Sequence, residues 1–148
     1  MLKTKPAFKN DQLAKEVSKV LNTLLRSQEE GDVETFAHCF LHEQTVVHIG
    51  TDTDEYFTSW KDYFHQMDDV IPSRKGTEIN EKNTCIYFNS HGDTAWYSQL
   101  IDTCYETKGE ITRIEGFRHT GVLINTPEGW KIVQSHVSAP INAEGVRL

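Results

Sequence analysis

The sequence changes its period near Gly76, and that change limits the fold more than any other feature. Before Gly76 the apolar residues recur at helical spacing. From residue 10 to residue 30 they are Leu13, Val17, Val20, Leu21, Leu24 and Leu25, one stripe on a 3.6-residue period. Asn10 or Asp11 supplies an N-cap, and Gly31 stands where a left-handed residue ends a helix. Asp32 caps a shorter helix through Val33, Phe36, Ala37 and Phe40. Residues 45–49 are rich in β-branched side chains and end at Gly50, which predicts a strand; residues 51–55 form a polar, acidic loop. Trp60, Tyr63, Phe64 and Met67 then predict a third helix, closed by Pro72.

After Gly76 the pattern is strands and turns. The strands are predicted at 77–88, 94–107, 111–125 and 130–138, and the turns between them carry Gly, Asn or Pro. The order of elements predicts an α+β fold, with helices on one face of a curved antiparallel sheet. There is no repeat or linker, so the chain divides into an N-terminal arm at 1–9, one domain at 10–139 and a tail at 140–148. A chain of 148 residues can bury a core without a metal or a disulfide.

Charge and cysteine usage exclude several partners. The net charge of −7 argues against nucleic acid and against an anionic membrane surface, both of which reward basic patches. No apolar run approaches a spanning helix, and Met1-Leu2-Lys3-Thr4-Lys5-Pro6 is not followed by the apolar core of a secretory signal. Cys39, Cys85 and Cys104 fall in no recognised spacing, so the expectation is a reduced, cytoplasmic protein.

Hairpin geometry assigns side chains to faces. Folding about residues 108–109 sets Gln99 opposite Arg118 and Tyr97 opposite Thr120. Folding about 127–128 sets Arg118 opposite Val137 and Thr120 opposite Ser135. Opposed residues share a face, so Tyr97, Gln99, Arg118, Thr120, Ser135 and Val137 are expected together. The other face then collects Trp96, Phe117, His119, Trp130, Ile132 and His136. Neither face is simply polar, so both are expected to be covered: one by the helices around a cavity, the other by a second copy in a homodimer.

Several segments are similar to one known family. The run His48-Ile49-Gly50-Thr51-Asp52-Thr53-Asp54-Glu55, followed by Trp60, resembles the G-T-D-x-x-E…W segment of SnoaL-like domains, within the nuclear transport factor two-like superfamily. Ala95-Trp96-Tyr97-Ser98, Arg118-His119-Thr120 and the block from Gly129-Trp130 through His136-Val137-Ser138 resemble that family's later blocks. The resemblance implies a cone-shaped barrel, three helices on a strongly bent sheet, a pocket between them and a dimer through the outer sheet face. It does not imply one activity, because the fold hosts isomerases, cyclases, dehydratases, hydrolases and plain binding modules.

The candidate ligand-binding residues are His48, Trp60, Tyr97, Gln99, Arg118 and His136. Arg118, in mid-strand among apolar neighbours, is the expected anion-binding group; its alternative is a salt bridge to Glu115 or Glu55. Related association domains of the superfamily carry an arginine in a similar strand position, and that likeness implies a contact with anionic ligands. His136 matches the family's C-terminal histidine, and its face suggests a structural hydrogen bond. His48 and Trp60 are expected at the pocket mouth, with a core position as the alternative for Trp60. His38 and His42 are four apart with Glu43 adjacent, yet lack the intervening glutamate of the helical zinc motif, so no metal site is expected. No nucleophile elbow and no glycine-rich phosphate loop occurs, and no cofactor is implied. The steroid isomerase branch carries a tyrosine on its first helix, where this chain offers only Leu and Val. The expected function is therefore binding of a small organic molecule, anionic if Arg118 meets it. The alternatives are a cofactor-independent isomerase, cyclase or hydrolase, and a homodimerising module without chemistry.

Overall fold

The structure is a computed structural model that describes residues 10–141. The expected arm at 1–9 and the tail from 142 lie outside the described residues. Three helices, α1 (Asp11–Glu30), α2 (Val33–His38) and α3 (Trp60–Ser73), precede the main strands β3 (Glu78–Phe88), β4 (Thr94–Thr107), β5 (Glu110–Thr126) and β6 (Gly129–Ser138). Each helix begins at a side-chain cap: Asn10 accepts from the Leu13 N–H, Asp32 from Thr35 and Ser59 from Asp62. Pro72 sits inside the last turn of α3, one residue before its end, so it marks the terminus without cutting the helix short.

The sheet has six strands in the order β2-β1-β6-β5-β4-β3, where β1 is Val47–Ile49 and β2 is Tyr56–Phe57. The four long strands pair antiparallel as expected, and the short β1 makes the sheet mixed by adding one parallel pairing. β1 lies parallel to β6, with His48 beside Ser135, and antiparallel to β2. Strands of two and three residues carry too little alternation to announce either pairing.

The core lies between the helices and the concave face of the sheet. Val17, Leu21 and Leu24 of α1, Phe36 of α2 and Met67 and Ile71 of α3 pack with Phe88, Ala95, Leu123 and Ile132 from the strands. Full burial of such a side chain stabilises the fold by about 1.5–3 kcal/mol. Most of the α1 stripe thus joins this core, while Leu25 packs with Ile79, Ile101 and Phe117 in a second cluster.

Both hairpin turns lie where the sequence puts them, and a β-bulge beyond each one moves the register by one residue. Thr107 pairs with Glu110 and Thr103 with Ile114, as folding about 108–109 requires. Past the bulge at Glu115 and Gly116, Gln99 faces His119 and Leu100 faces Arg118. Gly116 sits at φ +80, and its N–H is accepted by the Asp102 carboxylate at 2.9 Å. In the next hairpin Leu123 pairs with Ile132, yet Val122 pairs with Gln134, so Val133 is the extra residue. The faces expected from unbroken hairpins are therefore corrected. Arg118 and Thr120 turn outward, while His119 and Gly121 turn inward beside Tyr97, Gln99, Ser135 and Val137.

Gly121 is pressed against its neighbours: a Cβ there would lie 2.4 Å from the Gln134 carbonyl oxygen and 2.6 Å from the Tyr97 hydroxyl. A Cβ at Gly116 would make only an ordinary contact, 3.9 Å from the Pro140 side chain, but its positive φ penalises any side chain. Gly116→Ala is expected to cost about 1–2 kcal/mol from backbone strain alone. Gly121→Ala is expected to cost more, about 2–3 kcal/mol, because a backbone oxygen must move. Urea unfolding of both variants checks the order, and a smaller loss at Gly121 would contradict the close approach.

Candidate functional site

The inward faces of β4, β5 and β6 and the helices enclose a cavity of about 580 Å³. Leu24, Leu25, Phe36, Met67, Ile101 and Phe117 are among its apolar walls. Three polar side chains interrupt this lining in the interior: His48 from β1, His119 from β5 and Ser135 from β6. Asp52 and Glu55 border it from the 51–55 loop, and Gln28 and Arg74 from the ends of α1 and α3. The Arg74 guanidinium donates to Gln28 Oε1.

The histidines are held differently. The Thr84 hydroxyl donates to Gln99 Oε1 at 2.9 Å, which turns the Gln99 amide N–H toward His119 Nδ1 at 3.0 Å. His119 Nε2 then carries its proton toward the Tyr97 hydroxyl, 2.8 Å away. His48 lies flat on the Tyr63 ring, with centroids 4.2 Å apart, and its Nδ1 is 2.6 Å from Ser135 Oγ. Burial pushes the His119 pKa down to about 4. His48 is pushed down to about 3, mainly by burial and further by the nearby His119, Arg74 and His136. Both rings are neutral dipoles at physiological pH. Burial also drives the Tyr63 and Tyr97 hydroxyls well above the usual phenol range, so neither ionises there.

The six sequence candidates separate into four groups. His48 lines the cavity. Tyr97 and Gln99 are buried behind His119 and act on it. Trp60 is a core residue, stacked on Phe40 and, at 4.5 Å, on His42. Arg118 and His136 fall on the other side of the sheet. Arg118 is exposed, and it donates to Ser138 Oγ at 3.0 Å and to the Ala139 carbonyl. Its expected place among apolar cavity groups is corrected by the one-residue register shift. His119, Ser135 and Arg74 border the cavity instead, and the signal for His119 was in the chain: a glycine in mid-strand, Gly116, marks a bulge.

The His38/His42 pair is also explained. Helix α2 ends at His38, so the two residues do not share a helical face. His42 Nε2 donates to the Ala37 carbonyl at 2.7 Å while its ring covers Trp60. Among the described residues no cluster of three metal-ligating side chains occurs, and all three cysteines are free. Asp102 pairs with Lys82 at 2.8 Å and accepts from Gly116, so its carboxylate serves the bulge.

The buried neutral rings make stability depend on pH. An unfolded chain protonates histidine near pH 6.5, whereas folded His119 and His48 do so only near 4 and 3. Between those values the unfolded state holds more protons, so stability is complete above about pH 6.5 and falls as the pH drops toward 4. The loss approaches about 1.4 kcal/mol per pH unit for each ring. In His119→Gln, the stability lost between pH 6.5 and 4.5 is expected to shrink by roughly 2 kcal/mol, measured by urea unfolding at both values. An unchanged loss would mean that His119 takes up its proton without cost.

A family model for the SnoaL-like domain matches residues 17–142. No curated protein has a significantly similar sequence. Among solved structures, an NTF2-like protein of unknown function from Pseudomonas putida superposes with a TM-score of 0.78 at 12% identity, covering 95% of this chain and 96% of its own. A candidate dehydratase of the NTF2-like family from Streptomyces avermitilis gives 0.78 at 16% identity, over 91% and 100% of the two chains. A candidate scytalone dehydratase from Novosphingobium aromaticivorans gives 0.71 at 12% identity, over 84% and 81%. At such identities the likeness establishes the α+β cone fold alone. The family match covers most of the chain, and the protein belongs to the SnoaL-like domain family.

Proposed function

We propose that the protein binds a small, largely apolar and uncharged organic molecule in the cavity between helices and sheet. The observation that carries this reading is the cavity itself: about 580 Å³ of space, walled by Leu, Ile, Phe and Met side chains and bordered by two histidines whose burial keeps them neutral. With Arg118 outside, the expectation of an anionic ligand loses its carrier. The cation among the described lining residues is Arg74, and Asp52 and Glu55 lie on the same lining. No negative charge is favoured there.

A metal- and cofactor-independent enzyme is the second reading, and the histidine pair favours it. Two neutral imidazoles in an apolar site can polarise a bound group as hydrogen-bond donors, although rings with such low proton affinity are weak general bases near neutral pH. The candidate dehydratases among the structural relatives lend this reading support at the level of fold only.

The outer sheet face supports a homodimer as the partner reading. Trp96 is 40% exposed there, next to Val122 and Tyr87 on the neighbouring strands. A second copy would cover this face through a two-fold contact. No helix among the described residues is long and apolar enough to cross a membrane.

A thermal-shift screen against uncharged aromatic and alicyclic metabolites tests the pocket, because a ligand of the folded state raises the melting temperature with concentration. Thr103 of β4 also lines the cavity, and Thr103→Trp, which projects an indole into it, is expected to abolish the shift given by any hit. Arg118→Ala is expected to leave that shift unchanged. A hit lost in Arg118→Ala and kept in Thr103→Trp would move the site to the outer face. Sedimentation at micromolar concentration is expected to show a dimer that Trp96→Glu converts to a monomer; a wild-type monomer would remove the partner reading.

A further inference from the structure

The two cavity histidines differ in what their ring nitrogens have left to offer. His119 has both committed, Nε2 to Tyr97 and Nδ1 to Gln99. His48 has one committed, Nδ1 to Ser135 Oγ at 2.6 Å. Its Nε2 has no protein hydrogen-bond partner among the described residues, and it is not among the sealed, unpartnered polar atoms. His48 is therefore the ring that can meet a ligand, and Tyr63 stacked against it at 4.2 Å fixes the plane in which it does so.

The partner on Nδ1 decides what Nε2 presents. Ser135 is 2% exposed, and His48 is the partner of its hydroxyl. If Nδ1 carried the proton, it would donate to Oγ and leave the serine hydrogen in an apolar wall without an acceptor, which is unfavourable for a buried donor. With the serine donating to Nδ1, its single hydrogen is used and only lone pairs remain. A neutral imidazole that accepts at Nδ1 carries its proton on Nε2.

We propose that His48 offers a neutral Nε2–H donor to the cavity, positioned by Ser135, and that the ligand is an uncharged apolar molecule whose ketone-type carbonyl oxygen accepts it. The proposal rests on the pocket reading above and specifies the polar group of its ligand. A carboxylate is disfavoured because one neutral dipole does not repay its desolvation, and Asp52 and Glu55 would repel it. A hydrocarbon is disfavoured because it would leave the Nε2–H buried and unpaired.

Two measurements test the proposal. Long-range proton–nitrogen correlation spectra of the nitrogen-15-labelled full-length chain at pH 7 are expected to show a protonated Nε2 and an unprotonated Nδ1 in His48. A protonated Nδ1 would overturn the donor assignment, whatever becomes of the pocket. In Ser135→Ala the Nδ1 signal is expected to move toward a mixture of the two neutral forms; no change would overturn the positioning role. Titration with 1-tetralone and with tetralin, which lacks the carbonyl, is expected to favour the ketone by roughly three- to tenfold. That preference is expected to vanish in His48→Phe while tetralin binding persists. Equal affinities in the wild type would overturn the carbonyl assignment and leave the pocket reading standing. Failure of both probes to bind would overturn both.

Discussion

The Asp102–Gly116 hydrogen bond is the interaction on which the interior depends. A bulge in β5 frees one backbone N–H from the ladder, and a freed N–H needs a partner. Asp102, opposite the bulge on β4, provides it at 2.9 Å, and Lys82 on β3 holds the carboxylate at 2.8 Å. These contacts keep the Asp102 pKa below the usual carboxylate range, the Lys82 bond first and the Gly116 bond second. Three strands thus fasten one extra residue in place. Every side chain of β5 beyond it faces the side opposite to the one that an unbroken hairpin would give.

The consequence is chemical. In an unbroken register the sheet would turn Arg118 toward the helices, and a guanidinium buried there would need a closely held counter-charge to offset its desolvation. The shifted register turns in His119, a side chain that can be buried neutral and can bond at both nitrogens. Tyr97 and Gln99 take up those bonds, and Thr84 extends the chain to an exposed residue of β3. The second bulge, at Val133, keeps Ser135 and Val137 on the same face as His119. One bulge without the other would have separated Ser135 from the cavity and left His48 without its partner.

The helices and the four long strands were legible in the chain because each rests on local chemistry. Asn10, Asp32 and Ser59 cap helices whose apolar stripes have the helical period, and the turns near Gly92, Gly109 and Gly129 join strands that alternate. The short pair β1 and β2 was only half legible, since their partners are chosen by tertiary packing against β6. His48 was legible from its place at a strand end before Gly50. Arg118 was misplaced because a period-2 argument is correct only up to the first bulge, whereas His136 lies on the outer face that the same argument gave it. Gly116 could have corrected it, as a glycine amid Ile114, Phe117 and Arg118 has little other reason to interrupt a strand.

The net charge of −7 fits this arrangement through separation. Among the described residues the acidic ones lie on loops, helix surfaces, strand positions that are not buried and the cavity rim, while the buried polar side chains include two imidazoles, two serines, a glutamine and two tyrosines, all uncharged. A buried ion would demand a counter-ion at a defined distance, and its desolvation would dominate the energy of the site. Neutral dipoles make weaker demands. They can be satisfied by one another, as around His119, or be left with one donor open, as at His48. On the proposed reading, such a cavity would stay apolar enough for an organic ring system and still separate a ligand with a matching acceptor from one without, because an unmatched donor is penalised more than a matched one is rewarded.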